Sequence, residues 1–218
     1  MFRQILFTQW KWARLPVLAF VLAGFALPLL SAQAFSESYS RFWFAPLFLG
    51  QLQSLGAFYP LLAALIGLIM ALTAWAADHR GRHVYALSLP IPRWHYTLLR
   101  FGAGAVLILL PTLALWLSAL IATSLTKLPM GLHAYPTTLA VRFALATLIA
   151  FGALFAVSAG TSRAAGIVLG LLAAVVLAQL LFDLFEIKIQ IIDAVLYRIY
   201  IWPGPLEIFT GHWMLFDV

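Results

Sequence analysis

Histidine side chains that could bind a metal are concentrated in one polar stretch, AADHRGRHVYALSLPIPRWHYTLLRF (residues 76–101). His79 and His83 are four residues apart, so on a helix they would share one face, as a pair of metal ligands does. His95 follows in the same stretch, and Asp78 is the one carboxylate beside them. No carboxylate set completes a ligand group, so the pattern favours a partly solvated helix face, and we expect no metal site.

Serine nucleophiles and nucleotide-binding sequences would be further signs of enzyme activity. Ser118, Ser124 and Ser158 lie in long apolar segments that contain no histidine, and a serine there more often contributes a hydroxyl to helix packing. The phosphate-binding sequence G-x-x-x-x-G-K-[ST] does not occur in the chain. The chain has no cysteine, which excludes thiolate nucleophiles, thiolate metal ligands and disulfides. The sequence therefore predicts no catalytic residue and no enzyme activity in this chain.

Composition points to a helical membrane protein. Hydrophobic residues make up 64% of the 218 residues and charged residues 9%, whereas a soluble domain has about 25% charged residues. The formal net charge of +6 is consistent with lysine and arginine side chains on the cytoplasmic side of a membrane, next to anionic lipid headgroups. Because the chain has no basic runs that could follow a phosphate backbone, we expect no nucleic-acid partner.

Five segments are long and apolar enough to cross a bilayer, since a crossing helix needs about 20 apolar residues. The chain is thus predicted to be an all-α polytopic membrane protein with a single transmembrane domain over residues 1–218. The predicted spans run approximately from Leu15 to Phe35, Leu55 to Ala77, Leu98 to Leu125, Thr138 to Gly160 and Ala164 to Phe185.

The two ends of the chain are predicted to lie at membrane surfaces. Residues 1–14 interleave basic and aromatic side chains, which is typical of an interfacial helix rather than a cleavable signal peptide. Residues 186–218 carry too many charges for a simple crossing and are interrupted by Pro203 and Pro205. We expect this tail to form amphipathic helices in the outer leaflet, outside a five-span bundle over residues 15–185.

The distribution of lysine and arginine predicts the orientation of the spans. With a cytoplasmic N-terminus, eight basic residues fall in inside segments and five in outside segments. The connection after the second span alone carries Arg80, Arg82, Arg93 and Arg100. The sequence therefore favours a multi-pass protein of the inner membrane with its N-terminus in the cytoplasm.

Two ionisable residues are predicted to lie inside spans. Arg142 falls about one turn inside the fourth span and Asp183 lies near the outer end of the fifth. An isolated charge in a bilayer costs at least about 2.5–3.5 kcal/mol, so each of these side chains needs a partner or a watery path. A structural Arg142–Asp183 ion pair is our first interpretation, and contact with a transported substrate is the second.

The polar connection between the second and third spans resembles a segment of ABC-2 type transporter permeases. In that family an acidic residue and a glycine precede a segment L-x-L-P-[VI]-[SP]-R-[WG] that leads into the third span. The matching residues here are Asp78, Gly81, Leu87, Leu89, Pro90, Ile91, Arg93 and Trp94. The chain departs from the family in having Asp78 where glutamate is usual, Arg100 where lysine is frequent, and no sixth span.

This resemblance implies a permease subunit of an ATP-driven exporter. A separate ATPase subunit would bind ATP and magnesium, and the loop at residues 78–98 would pass its movement to the second and third spans. Asp78, Arg80 and Arg82 would dock on that ATPase. Two copies of the chain, or this chain and a sister permease, would line the route between them, and membrane lipid would surround the subunits.

A second hypothesis comes from a different class of protein. The odd number of predicted spans also fits a non-catalytic helical subunit of a larger membrane complex, such as an energy-converting or assembly complex. The sequence names no cargo under either hypothesis.

Overall fold

Four long helices make up most of the computed structural model, which describes residues 1–41, 56–80, 92–126, 132–159, 206–211 and 213–217 and individual positions between 166 and 181. The helices are α1 (Phe2–Arg41), α2 (Phe58–Arg80), α3 (Arg93–Leu125) and α4 (Pro136–Ser158). Each is long and apolar enough to cross a membrane. The mainly helical class and long apolar helices at the first four predicted spans are therefore confirmed, whereas the fifth predicted span lies largely outside the described residues.

The first helix continues through residues 14–15, where the sequence predicts a change from an interfacial helix to the first span. Pro16 and Pro28 lie inside this helix. Proline cannot donate a backbone hydrogen bond, but neighbouring helices and side chains stabilise such positions in membrane helices. In the turn after Pro28, the Ser31 hydroxyl donates to the Leu27 carbonyl at 3.0 Å.

The described helices form an up-down-up-down bundle. α1 and α3 run parallel: Gln9 bonds to the Arg100 carbonyl at one end, and the Ser118 hydroxyl donates to the Phe25 carbonyl further along. α2 and α4 run in the opposite direction and pack against each other, with the ring centroids of Trp75 and Phe155 5.1 Å apart. We call the end with the last turn of α2 the Asp78 end, and the end with its first turn the Tyr59 end.

Small, aromatic and some aliphatic side chains fill the interior of the bundle, whereas most of the large apolar side chains that face outward are aliphatic. Two helices approach closely at Gly67 of α2, where a Cβ atom would lie 2.5 Å from the Cβ of Ala150 in α4. Small residues allow such close packing, which stabilises helix pairs where lipid supplies no hydrophobic driving force between helices. Fully or largely buried members of the interior include Ala63, Ile66, Ala71, Ala103, Leu115, Ala119, Phe143 and Phe151.

A C-terminal segment packs on the Tyr59 end of the bundle. It contains a short 3₁₀ helix (Glu207–Phe209) and a strand β2 (Phe216–Asp217), which pairs antiparallel with β1 (His133–Ala134) just before α4. The backbone N–H of Tyr135 also donates to the Leu215 carbonyl at 3.0 Å. The sequence predicts no strand here, because two-residue strands drawn from segments about 80 residues apart leave no alternating pattern. Residues 186–205, the rest of the predicted outer-leaflet tail, lie outside the described residues.

Candidate functional site

Three ionisable side chains meet at the Asp78 end, and we call Asp78, Tyr96 and Arg100 the Asp78–Arg100 cluster. Asp78 lies in the last turn of α2, and Tyr96 and Arg100 lie in the first turns of α3. Pro92 breaks the helical geometry before α3, which begins at Arg93. Tyr96 and Arg100 are four residues apart, so they share one face of the helix and both point toward Asp78.

Hydrogen bonds connect all three members of the cluster. One guanidinium nitrogen of Arg100 lies 3.1 Å from an Asp78 carboxylate oxygen, and Arg100 Nε donates to the Tyr96 hydroxyl at 2.9 Å. The Tyr96 hydroxyl in turn donates to the Asp78 carboxylate, with its two oxygens at 3.1 and 3.2 Å. The side chains of Asp78 and Arg100 are only 2% and 4% exposed, so the ion pair is desolvated.

Backbone and aromatic groups of α2 complete the surroundings of the Arg100 guanidinium. Its other terminal nitrogen donates to the Ala74 carbonyl. The guanidinium carbon lies 5.2 Å from the centroid of the Trp75 ring and 5.1 Å from that of Tyr96, within the range of cation–π attraction. A buried charge is stable only when it is paired and hydrogen-bonded, and Arg100 meets both conditions.

The first turns of α1 are tied to the same end of the bundle. The Gln9 side-chain amide donates to the Arg100 carbonyl at 3.1 Å, and Gln9 is buried. Among the described residues the Gln9 side-chain oxygen has no hydrogen-bond partner. The Arg80 guanidinium lies 4.3 Å above the Trp12 ring. Polar contacts at this end therefore join α1, α2 and α3.

One residue of the predicted docking set, Asp78, has its partners within the chain. Asp78 is predicted as a charge that docks on a partner ATPase, but its carboxylate is buried and satisfied by Arg100 and Tyr96 within the chain. Arg80, Arg93 and Trp94 are exposed, as a docking surface requires. The remaining predicted residues of the loop lie outside the described residues: Gly81, Arg82, Leu89 and Pro90.

Arg142 has partners that the sequence does not indicate. Its guanidinium donates to the carbonyls of Ile208 and Thr210, the first at 3.3 Å, and lies 4.5 Å above the Trp213 ring. Arg142 thus holds the C-terminal segment against α4. Its predicted partner Asp183 lies outside the described residues, so the Arg142–Asp183 pair stays a prediction.

Tyr96 and Gln9 are members of the site that sequence reasoning missed, and Arg100 was interpreted only as a loop charge. A signal was present in the sequence. Asp78 and Arg100 are opposite charges at the facing ends of two apolar segments, and an antiparallel pair of helices brings such ends together.

Comparison with models of known families, with curated proteins and with solved structures finds no match for this chain. A functional assignment therefore rests on its own residues and their geometry.

Proposed function

We propose that this chain is the membrane-spanning permease subunit of an ATP-driven exporter of the ABC-2 type, in which the connection over residues 78–98 couples a partner ATPase to translocation. The observation that carries the proposal is the Asp78–Arg100 cluster. It joins the last turn of α2 to the first turns of α3, which are the two helix ends that flank the connection. A displacement of the connection would consequently move both helices together.

Exposed side chains around the cluster support a docking surface for the ATPase. Arg80, Arg93 and Trp94 are exposed at the Asp78 end, and Arg82 belongs to the connection itself. Arginine binds carboxylates through two parallel hydrogen bonds, so this surface suits an acidic groove on a partner. The stacking of Arg80 on Trp12 would extend the response to α1.

The proposal includes parts of the architecture outside the described residues. Residues 164–185 form the fifth span, and the rest of the C-terminal tail lies in the outer leaflet of the inner membrane. The N-terminus and the connection face the cytoplasm, where the ATPase holds ATP and magnesium. A second copy of the chain, or a sister permease, completes the route.

Purification of the tagged chain from its native membranes tests the proposal. We expect a nucleotide-binding subunit with a phosphate-binding loop to copurify, and the complex to hydrolyse ATP. Changing Arg80, Arg82 and Arg93 together to alanine should remove that subunit without removing the permease from the membrane. Lys127→Ala, at a position predicted on the opposite side, is the control and should leave the complex intact.

A different complex would contradict the proposal. Copurification of a stable assembly that contains no ATPase, unchanged in the triple arginine variant, would support the second hypothesis of a non-catalytic subunit in a larger membrane complex. A bound haem or pigment visible in the absorption spectrum would point in the same direction.

A further inference from the structure

A cavity of about 330 Å³ lies beside the Asp78–Arg100 cluster. Its floor contains the buried side chains of Asp78, Tyr96 and Arg100, and its rim contains the exposed residues Gln4 and Thr8 of α1. The volume lies at the lower end of the roughly 300–1,000 Å³ that small-molecule sites occupy. The cavity therefore connects desolvated charges to the outside of the bundle, and it can admit a small polar group.

The floor of the cavity still has hydrogen-bonding capacity of both kinds. A carboxylate offers about four acceptor positions, and within the described residues Asp78 receives bonds from Tyr96 and Arg100 alone. A guanidinium has about five N–H donors. Those of Arg100 bond to Tyr96, Asp78 and the Ala74 carbonyl, so N–H groups remain. A ligand that carries both a donor cation and an acceptor anion matches this floor.

We propose that this cavity binds the headgroup of a phosphatidylethanolamine-class lipid, which carries a primary ammonium and a phosphate. The ammonium donates to the Asp78 carboxylate, and the phosphate accepts from Arg100. The Thr8 hydroxyl oxygen accepts a further ammonium proton, since its own proton is donated to the Gln4 carbonyl at 2.9 Å. Charge-assisted hydrogen bonds of this kind are stronger in a desolvated site than in water.

The surrounding surface identifies a membrane lipid as the source of the headgroup. Helix α1, which forms the rim with Gln4 and Thr8, carries exposed large apolar side chains further along the face of Thr8, including Leu15 and Leu22, each 72% exposed. Such a surface at a membrane-spanning helix accommodates acyl chains. A soluble compound with the same ammonium and phosphate groups would make no use of it.

The same geometry predicts which lipids bind poorly. A trimethylated headgroup, as in phosphatidylcholine, has no N–H to donate to Asp78. Phosphatidylglycerol has no cation, so its glycerol hydroxyls can donate only weaker, uncharged hydrogen bonds to the carboxylate. We therefore expect ethanolamine lipid to be retained about tenfold better than choline lipid, the effect of one charge-assisted hydrogen bond.

Native mass spectrometry of the purified full chain, delipidated in detergent and titrated with each of the three lipids, measures this preference. Ala77→Leu places a larger side chain in the cavity beside the cluster and should abolish the preference for ethanolamine lipid. Thr8→Val should weaken binding of this lipid about tenfold, as the loss of one charge-assisted hydrogen bond does. Thr97→Val is the matched control, because Thr97 makes the same bond to the carbonyl four residues before it at 3.0 Å but does not line the cavity.

Three results would overturn the proposal. The first is equal retention of ethanolamine and choline lipids by the unchanged chain. The second is an unchanged preference in both Ala77→Leu and Thr8→Val when thermal unfolding shows that these variants are folded. The third is displacement of the lipid by soluble phosphoethanolamine at a comparable concentration, which would assign the cavity to a soluble ligand instead. Displacement only at far higher concentration supports the lipid.

Discussion

Asp78 and Arg100 show how strongly two single residues depend on each other in an apolar bundle. Removing one partner leaves an unpaired buried charge, which typically costs about 3–5 kcal/mol, whereas replacing both by apolar groups is often close to neutral. We expect Arg100→Met to lower the free energy of unfolding by that amount. The double variant Asp78→Leu/Arg100→Met should recover most of the loss, as measured by chemical unfolding in detergent.

Arg14→Met is the control for this cycle, since Arg14 is exposed and should change the stability little. The cycle also needs the single variant Asp78→Leu. If the losses in Asp78→Leu and Arg100→Met add up to the loss in the double variant, a direct interaction between Asp78 and Arg100 is contradicted.

Arg142 supports a second prediction at the level of the single residue. Its guanidinium holds two carbonyls of the C-terminal segment and stacks on Trp213. Arg142→Met preserves the length of the side chain but removes these bonds. We expect faster hydrogen exchange and faster proteolysis within residues 206–217, without loss of the helices. Arg14→Met serves again as the control, and unchanged exchange in residues 206–217 would contradict the role of Arg142.

At the scale of the helix, two glycines are predicted to respond in opposite ways to the same substitution. Gly→Ala favours an isolated helix by about 1 kcal/mol. At Gly67, however, the new Cβ would lie 2.5 Å from the Ala150 Cβ and 2.7 Å from the Phe151 nitrogen, so α2 and α4 must move apart. At Gly152 the nearest atom is Phe101 Cε2 at 3.7 Å, an ordinary contact.

We therefore expect Gly67→Ala to lower the midpoint of thermal unfolding and Gly152→Ala to leave it unchanged or raise it. Scanning fluorimetry in detergent measures both variants side by side. A rise for Gly67→Ala would show that the close approach of α2 and α4 does not exist in the folded protein.

At the scale of the whole molecule, the bundle places the start of α3 and the C-terminal segment at opposite ends. Because the chain has no cysteine, single-cysteine variants give a clean test of orientation. With a cytoplasmic N-terminus, His95→Cys should react with an impermeant maleimide only after cells are opened, and Glu207→Cys should react in intact cells. The reverse pattern would place the connection outside the cytoplasm and remove the basis for docking on an ATPase.

The membrane character and the first four helices could be predicted from the sequence because they depend on local composition. A run of about 20 apolar residues must be helical in a bilayer, whichever neighbours it finds. The predicted third span begins at about Leu98, whereas α3 already begins at Arg93, directly after Pro92, which holds the residue before it out of helical geometry. Candidate functional residues can also be identified from the sequence by their type, as Asp78 is by its place in a polar connection.

What the sequence alone could not decide is which of these residues meet. Three contacts join residues that are distant in the chain. They are the buried Asp78–Arg100 ion pair, the pairing of strands 133–134 and 216–217, and the hydrogen bonds from Arg142 to the C-terminal segment. Glycine positions alone likewise do not show which helices approach closely: a Cβ at Gly67 would lie 2.5 Å from the Ala150 Cβ, whereas a Cβ at Gly152 would make only an ordinary contact. Hydropathy and helix-breaking residues act over a few neighbours along the chain. The helices that they determine can therefore be predicted from the sequence alone. A buried ion pair and a helix crossing depend on how whole helices are rotated and aligned, which only the packed bundle determines.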